Sequence, residues 1–562
     1  MNFLLQTIMK NHKFNEIVHK IEETQSPIAL SGLSDVSKLQ MIMALQENQK
    51  KSTCIVTYNE IQAKKIIEDL KYYGAKVLYF PKREIASYDY LVESKDLPYE
   101  RIHVLNEIKL IEQKRRNANI VIVTTIEAIM QKMISKNELY ENIIEFKVGN
   151  SYNLEKIKQA LILLGYERQE LIENKGQFSI RGDIIDIGLS EKIGVRIELW
   201  GDEVDSIRYF HIASQRSTEM LDEITIFPAH EFVVKDIENV CRRLENLEYN
   251  ISEDIELIKN GEYLSKIDKY FNQFYQNQQY FLDYIPNNFL VFLDENSKIE
   301  PRKQNLIIDN NHLIENLIEK ERFVPEAIKN ISNFEYDFSQ KQIIYLEQND
   351  IIKNIEKFFF ETRDIHFHQA ELEMFAEDLR KYQKEKKKVL LLAGNETNAK
   401  KVCEFLQEKQ LTYQFKDIIN EIEDGNIVVS LGGFSNGFAN YDLNLVVISM
   451  QEGSGEAAKK KRVTSQFKQA EKIVYADLKN GDFVVHKSHG IGEFIGVNTI
   501  TTEGVTKDYI KIKYKNDDIL YVPTTDLDSV RKYVGGGDGI PKINKLGSNI
   551  LVNFFKLHTP PY

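Results

Sequence analysis

Cysteine is scarce in this sequence: Cys54, Cys241 and Cys403 are the only three in 562 residues. None has a CxxC or Cys/His spacing, and thiols this far apart build no disulfide framework. They read as buried structural thiols of a reducing compartment, with no metal site. No uninterrupted apolar run approaches the roughly 18 residues that a membrane span requires. The opening MNFLLQTIMKNHKF turns to charge after a brief apolar run and has no small-residue cleavage site, so no signal peptide or anchor is predicted. Together these absences predict a cytoplasmic protein. Positive charge is not in surplus either. A net charge of −12 argues against a chain devoted to nucleic acid, although a local basic groove stays open. The remaining composition, 42% hydrophobic and 28% charged, is that of globular protein, and the length predicts several domains.

The first part alternates strand and helix patterns. Ile28 to Leu30, Cys54 to Tyr58, Val77 to Phe80 and Ile120 to Val123 read as strands, and Ala63 to Leu70 reads as a helix. That rhythm predicts a parallel α/β sheet. The loop after the first strand is where a nucleotide-binding protein holds phosphate, and it runs from Gly32 to Leu39. Against GxxxxGK[ST], Gly32 and Lys38 match, whereas Ser37 replaces the second glycine and Leu39 the magnesium-binding hydroxyl. Asp35 adds a carboxylate where phosphate oxygens would sit. Much later, Leu290 to Glu295 has the form of a strand ending in the acidic pair Asp294 and Glu295, which could hold magnesium. The expectation is a degenerate nucleotide site at Gly32, Lys38, Asp294 and Glu295, with residual ATP binding left open and hydrolysis not expected.

Two period-2 strands stand out between Lys175 and Arg216. In Val195 to Trp200, Val195, Ile197 and Leu199 share one face, and Arg196, Glu198 and the only tryptophan, Trp200, share the other. Gln177 to Arg181 alternates likewise, with Phe178 and Ile180 inward and Arg181 at the strand edge. Arg181, Arg196 and Trp200 on one outward face are of the types that dominate protein-docking surfaces. Spacing alone leaves a second reading open, a tryptophan partly covered by a neighbouring domain.

The same stretch carries a resemblance. RGDIIDIG, then RIELWGDEVDSIRYFHIASQRS, then IFPAHEF resembles the segment shared by bacterial excinuclease B and the transcription-repair coupling factor. In both families this small inserted domain binds excinuclease A, which implies that role for Arg181, Arg196 and Trp200. The acidic strand end after FLDYIPNN also resembles excinuclease B, implying a relic of one ATPase ancestor. The run from Phe80 to Tyr90, with Ser94 and Arg101 beyond it, is similar to the coupling factor and leaves no room for the long aromatic hairpin that excinuclease B threads between DNA strands.

From Lys388 a second α/β unit is predicted, with strands at Val389 to Ala393, Ile427 to Leu431 and Leu445 to Ser449, a helix at Thr397 to Leu406 and no catalytic constellation. Gly432-Gly433 and Gly453-Ser454-Gly455 read as ordinary turns. Ala457 to Tyr475 reads as a basic, solvated linker. Beyond it, Phe483 to His486, Ile491 to Val497, Tyr509 to Lys515 and Ile519 to Pro523 predict a small curved β-barrel. His486 and His489 lack companion ligands and read as turn and strand-end residues. VVHKSHGIGEFIGV and YIKIKYKNDDILYVPTTDLDSVRKYVGG are similar to the RNA polymerase-interacting module of the coupling factor. The resemblance implies RNA polymerase, through its beta subunit, as partner. Ile500 is expected on the exposed polymerase-binding edge, or else as a plug of the barrel.

The predicted fold class is thus α/β multidomain. A degenerate P-loop-type parallel sheet domain occupies 1–140 and returns at 229–335. An inserted small α+β domain that binds excinuclease A lies at 141–228, and a second α/β domain at 345–455. The linker is expected at 456–475 and the barrel at 476–548. The tail 549–562 is unlike the family and is expected to reflect truncation or a frame shift. The resemblance implies transcription-coupled DNA repair, with the chain as a scaffold between stalled RNA polymerase and nucleotide-excision repair. It implies no cofactor for the chain itself. For the full-length family it implies ATP and magnesium, with DNA bound through motor domains whose boxes are absent here. Two rival readings are an ATP-dependent DNA translocase or helicase and a polymerase-binding transcription regulator.

Overall fold

The computed structural model describes residues 2–23, 27–83, 97–113, 119–141, 143–229, 231, 237–246, 251–259, 270–275, 277–319, 341–349, 352, 354–367, 372–450, 481–486, 490–502, 505–515, 519–523 and 530–532. The chain divides into two compact units, one formed by residues 1–85 and 94–452 and the other by 86–93 and 453–562.

The first unit is organised by a seven-stranded, wholly parallel sheet. From one edge its order is Glu356–Phe359, Ile28–Ser31, Gln342–Glu347, Leu290–Asp294, Thr53–Thr57, Ile120–Thr125 and Lys76–Phe80. Its central strands are mostly apolar because both faces are covered, and Ile120–Thr125 and Leu290–Asp294 are buried at every position. The strands expected from the sequence are present within one or two residues. The helix expected from Ala63 begins earlier, at Glu60, because the Asn59 side chain accepts from the Gln62 backbone N–H and caps it.

The helix Asp35–Gln49 follows the first strand, and every residue from Val36 to Gln46 is buried, including Lys38 and Gln40. It is covered on all sides because a second, six-stranded mixed sheet shares its core. In that sheet the order is Thr362–Ile365, Gly437–Asn440, Leu445–Ser449, Lys388–Leu392, Ile427–Ser430 and Tyr413–Phe415. Leu390, Phe434, Phe438 and Val447 join Val36, Leu39 and Met43 in one apolar cluster. Two polar contacts fasten the same junction. Asp69 accepts from the Ser435 backbone N–H at 2.5 Å and from Ser435 Oγ at 2.7 Å, and Lys13 Nζ donates to Asp442 Oδ1 at 2.7 Å.

Between the strands Ile120–Thr125 and Leu290–Asp294 the chain builds a separate six-stranded sheet. Its order is Ser217–Leu221, Glu203–His211, Ile193–Trp200, Ile184–Gly188, Gln177–Arg181 and Glu167–Arg168. One face packs Phe178, Ile185, Ile187, Val195, Ile197 and Ile207 against Ile157 and Leu161 of the helix Leu154–Leu163. The module is tied back by Arg101, which donates from Nε to Glu231 Oε1 at 2.8 Å and from Nη2 to Glu231 Oε2 at 2.9 Å.

In the second unit the expected barrel is not closed. Five antiparallel strands are arranged as Ile519–Pro523, Val505–Lys513, Gly490–Thr502, Phe483–His486 and Val530–Lys532, and the two outer strands do not pair with each other among the described residues. The strand pattern is readable in the sequence because alternation is local. Closure needs pairing between remote edges, on which alternation is silent. A bulge between Phe494 and Gly496 bends the longest strand, with Gly496 at φ +127°. Val484, Phe494, Ile510, Ile512 and Tyr514 fill the concave core. The expected linker Ala457 to Tyr475, the tail 549–562, His489, the turn 516–518, the glycines at 453 and 455, and the segment from Glu84 to Ser94 lie outside the described residues.

Candidate functional site

The solvent face of the inserted sheet is a ladder of charged groups. Strand alternation sends Arg196, Glu198 and Trp200 outward from Ile193–Trp200, opposite Asp186 on one neighbour and Arg208 on the other. Asp186 lies in the run Ile184–Gly188, between the inward Ile185 and Ile187, so it shares this outward face. Its carboxylate is nevertheless fully covered, because two arginines lie over it. Arg196 donates from Nε to Asp186 Oδ1 at 2.6 Å and from Nη2 to Oδ2 at 2.9 Å, while Arg181 donates from Nη2 to Oδ2 at 2.7 Å. The hydrogen bond to Asp186 holds the Arg196 guanidinium above its usual pKa.

The three residues singled out from the sequence therefore stand differently. Trp200 is 85% exposed, next to the turn at Gly201, and is not covered among the described residues. The Arg181 side chain is 47% exposed and that of Arg196 15%. Arg196 is held further by Gln215 Oε1 at 3.2 Å and lies over the Phe210 ring at 4.8 Å. Next along the face, Arg208 donates from Nη1 to Glu198 Oε2 at 2.7 Å and from Nε to Ser217 Oγ at 2.9 Å, and Met220 is exposed beside it. Hydrogen bonding to Arg208 lowers the Glu198 carboxyl below its usual range. Asp186 and Arg208 were missed by sequence reasoning. The alternation of Ile184–Gly188 already placed Asp186 outward, and that was the available signal.

The second candidate is the degenerate nucleotide loop, whose residues converge at the carboxyl end of the parallel sheet. Lys38 Nζ lies 2.9 Å from Asp294 Oδ1, 2.5 Å from Glu295 Oε1 and 3.7 Å from Asp35 Oδ1. Burial works against the ammonium, but the three acids outweigh it and hold Lys38 above the usual lysine range. The acids have further partners. Thr57 Oγ1 donates to Asp294 Oδ2 at 2.9 Å and Ser297 Oγ to Glu295 Oε2 at 3.5 Å, while the Gln348 backbone N–H shares Glu295 Oε1 with Lys38 at 2.9 Å.

Another segment of the chain also packs closely on the loop. A Cβ placed on Gly32, at φ +75°, would come within 1.9 Å of the Phe360 carbonyl oxygen and 2.8 Å of the Phe359 ring. Thr362 Oγ1 accepts from the Ser34 backbone N–H at 2.7 Å and donates to Gly32 O at 2.8 Å, and the Ser34 and Ser37 hydroxyls pair at 2.8 Å. The Ser34 amide, at the N-cap of the helix, is thus bonded to protein, where a phosphate loop leaves its amides free. These residues do not fit a magnesium-bound nucleotide, since the cation would have to displace Lys38 from Asp294 and Glu295.

Ile500 lies in the strand Gly490–Thr502, opposite Lys507, and its side chain is outside the described residues. Among the described residues no group of three or more His, Cys, Asp and Glu gathers as metal ligands, and no helix is long and apolar enough to cross a membrane.

Two interaction modules are matched by known families. Residues 144–232 match the UvrB interaction domain, and residues 478–534 match the CarD-like/TRCF RID domain. Nearly the whole chain is also similar to curated proteins named transcription-repair-coupling factor. The relative from Bacillus subtilis is 29% identical over 97% of this chain and 48% of that protein. One from Staphylococcus aureus is 27% identical over 98% and 48%, and one from Staphylococcus haemolyticus is 27% identical over 93% and 46%. The chain spans about half the length of the curated relatives it matches. The resemblance read from RGDIIDIG and from the C-terminal strands is borne out.

Proposed function

We propose that this chain serves transcription-coupled DNA repair as a scaffold, with excinuclease A on its inserted sheet and RNA polymerase on its C-terminal sheet. The observation that carries this reading is the presence in one chain of a UvrB interaction domain and a CarD-like/TRCF RID domain. The exposed Trp200 and the half-exposed Arg181 supply the hot-spot chemistry of the first surface, with Arg196 behind them. For the second, Ile500 is the proposed contact and the beta subunit of RNA polymerase the proposed partner. The chain needs no nucleotide or metal for either role, consistent with a loop on which another segment of the chain packs closely and with Lys38 paired to Asp294.

The test is calorimetric titration of the full chain with each partner. Replacing Arg181, Arg196 and Trp200 by Ala should abolish binding of excinuclease A and leave RNA polymerase binding unchanged. Ile500→Arg should do the reverse. Unchanged affinities in both variants would contradict the assignment of the two surfaces.

A further inference from the structure

A carboxylate that is completely covered on the solvent side of a sheet needs a reason. Asp186 has no place in the apolar core, and a buried charge is costly to hold unless paired and hydrogen-bonded. Here it is paired twice, and each partner differs in what it leaves free. Arg196 spends Nε and one Nη2 bond on Asp186, adds Gln215 Oε1, and rests on the Phe210 ring. Gln215 is itself fixed, with its backbone at φ +56° and its Nε2 donating to Ile212 O at 2.9 Å. Arg181 spends a single Nη2 bond on Asp186 and keeps nearly half of its side chain in solvent.

We infer that Asp186 is the positioning residue of the docking face: it locks Arg196 as a strut and presents the free edge of Arg181 to a carboxylate on excinuclease A. This rests on the proposed role of the inserted sheet. Without Asp186 the Arg181 side chain would sample many rotamers, and the partner would have to order it on binding, at a cost in affinity. A planar guanidinium held by one Nη2 bond keeps its remaining N–H groups for two parallel hydrogen bonds with a carboxylate. The order of importance follows. Arg181 and Trp200 touch the partner, whereas Asp186 and Arg196 act through Arg181.

The test uses the full chain, its Asp186→Asn, Arg181→Ala and double variants, and purified excinuclease A as probe. Asp186→Asn should weaken binding about tenfold or more while Arg181→Ala does the same, and the double variant should be no weaker than Arg181→Ala alone. In the unbound chain, nuclear magnetic resonance of the arginine Nε–H groups should show Arg181 losing order in Asp186→Asn. Wild-type affinity in Asp186→Asn, or additive losses in the double variant, would overturn the positioning role. If the Asn variant folds poorly, Arg181→Lys, which leaves the Asp186–Arg196 pair intact, should still lose affinity, and full affinity there would overturn the proposal. Failure of the unaltered chain to bind would instead contradict the scaffold reading, and the arginine order would then decide the clamp by itself.

Discussion

Lys38 Nζ and Asp294 Oδ1 lie 2.9 Å apart although 256 residues separate them, and both side chains are almost wholly buried. The lysine stands where a nucleotide and its cation would otherwise meet the acidic strand end. Removing it would leave the buried Asp294 and Glu295 with only the half-exposed Lys298, 3.7 Å from Glu295 Oε2, as counter-charge. Lys38→Met should therefore destabilise the first unit by about 3–5 kcal/mol, the usual cost of breaking a buried pair from one side. Urea unfolding followed by circular dichroism measures this, and a loss near zero would mean that the acids find another partner.

The same arrangement predicts no catalysis. Purified chain should show no ATP hydrolysis above background, with or without DNA, because Ser37 and Leu39 supply no phosphate turn or magnesium hydroxyl and another segment of the chain packs closely on the loop. Turnover that disappears in Lys38→Ala would contradict this.

The junction between the two α/β sheets should respond to pH. Burial pushes the Asp69 carboxyl up to about 6, against the opposing pull of the Ser435 hydrogen bonds. Its folded-state value therefore lies above its unfolded value of 3.8, and the folded protein binds more protons between the two. Stability from this group is fully present below about pH 4 and is lost as pH rises through about 6. Asp69→Asn keeps an oxygen to accept from Ser435 and has no charge to bury. It should flatten the pH dependence of the melting temperature in that window, and an unchanged slope would contradict the assignment.

Local pattern and remote pairing are legible to different degrees. The strands of the parallel sheet and the outward face holding Arg181, Arg196 and Trp200 follow from runs of apolar and alternating residues, which are local. The loss of a phosphate grip is readable at Ser37 and Leu39. That Lys38 is consumed by Asp294 and Glu295, and that Phe359 to Thr362 pack on the loop, depends on contacts across more than 250 residues, about which spacing says nothing. Asp186 could be placed outward by alternation, yet its burial arises from arginines on two neighbouring strands. The closed barrel expected at the C-terminal sheet fails for the same reason, since closure depends on the pairing of two outer strands.

Whether one chain holds both partners at once is read directly by analytical ultracentrifugation of RNA polymerase, excinuclease A and this chain without nucleotide. A complex containing all three is expected, lost in the Arg181, Arg196 and Trp200 triple Ala variant while the chain stays on the polymerase. Contradiction would come from either protein displacing the other, or from a three-part complex that survives the triple substitution.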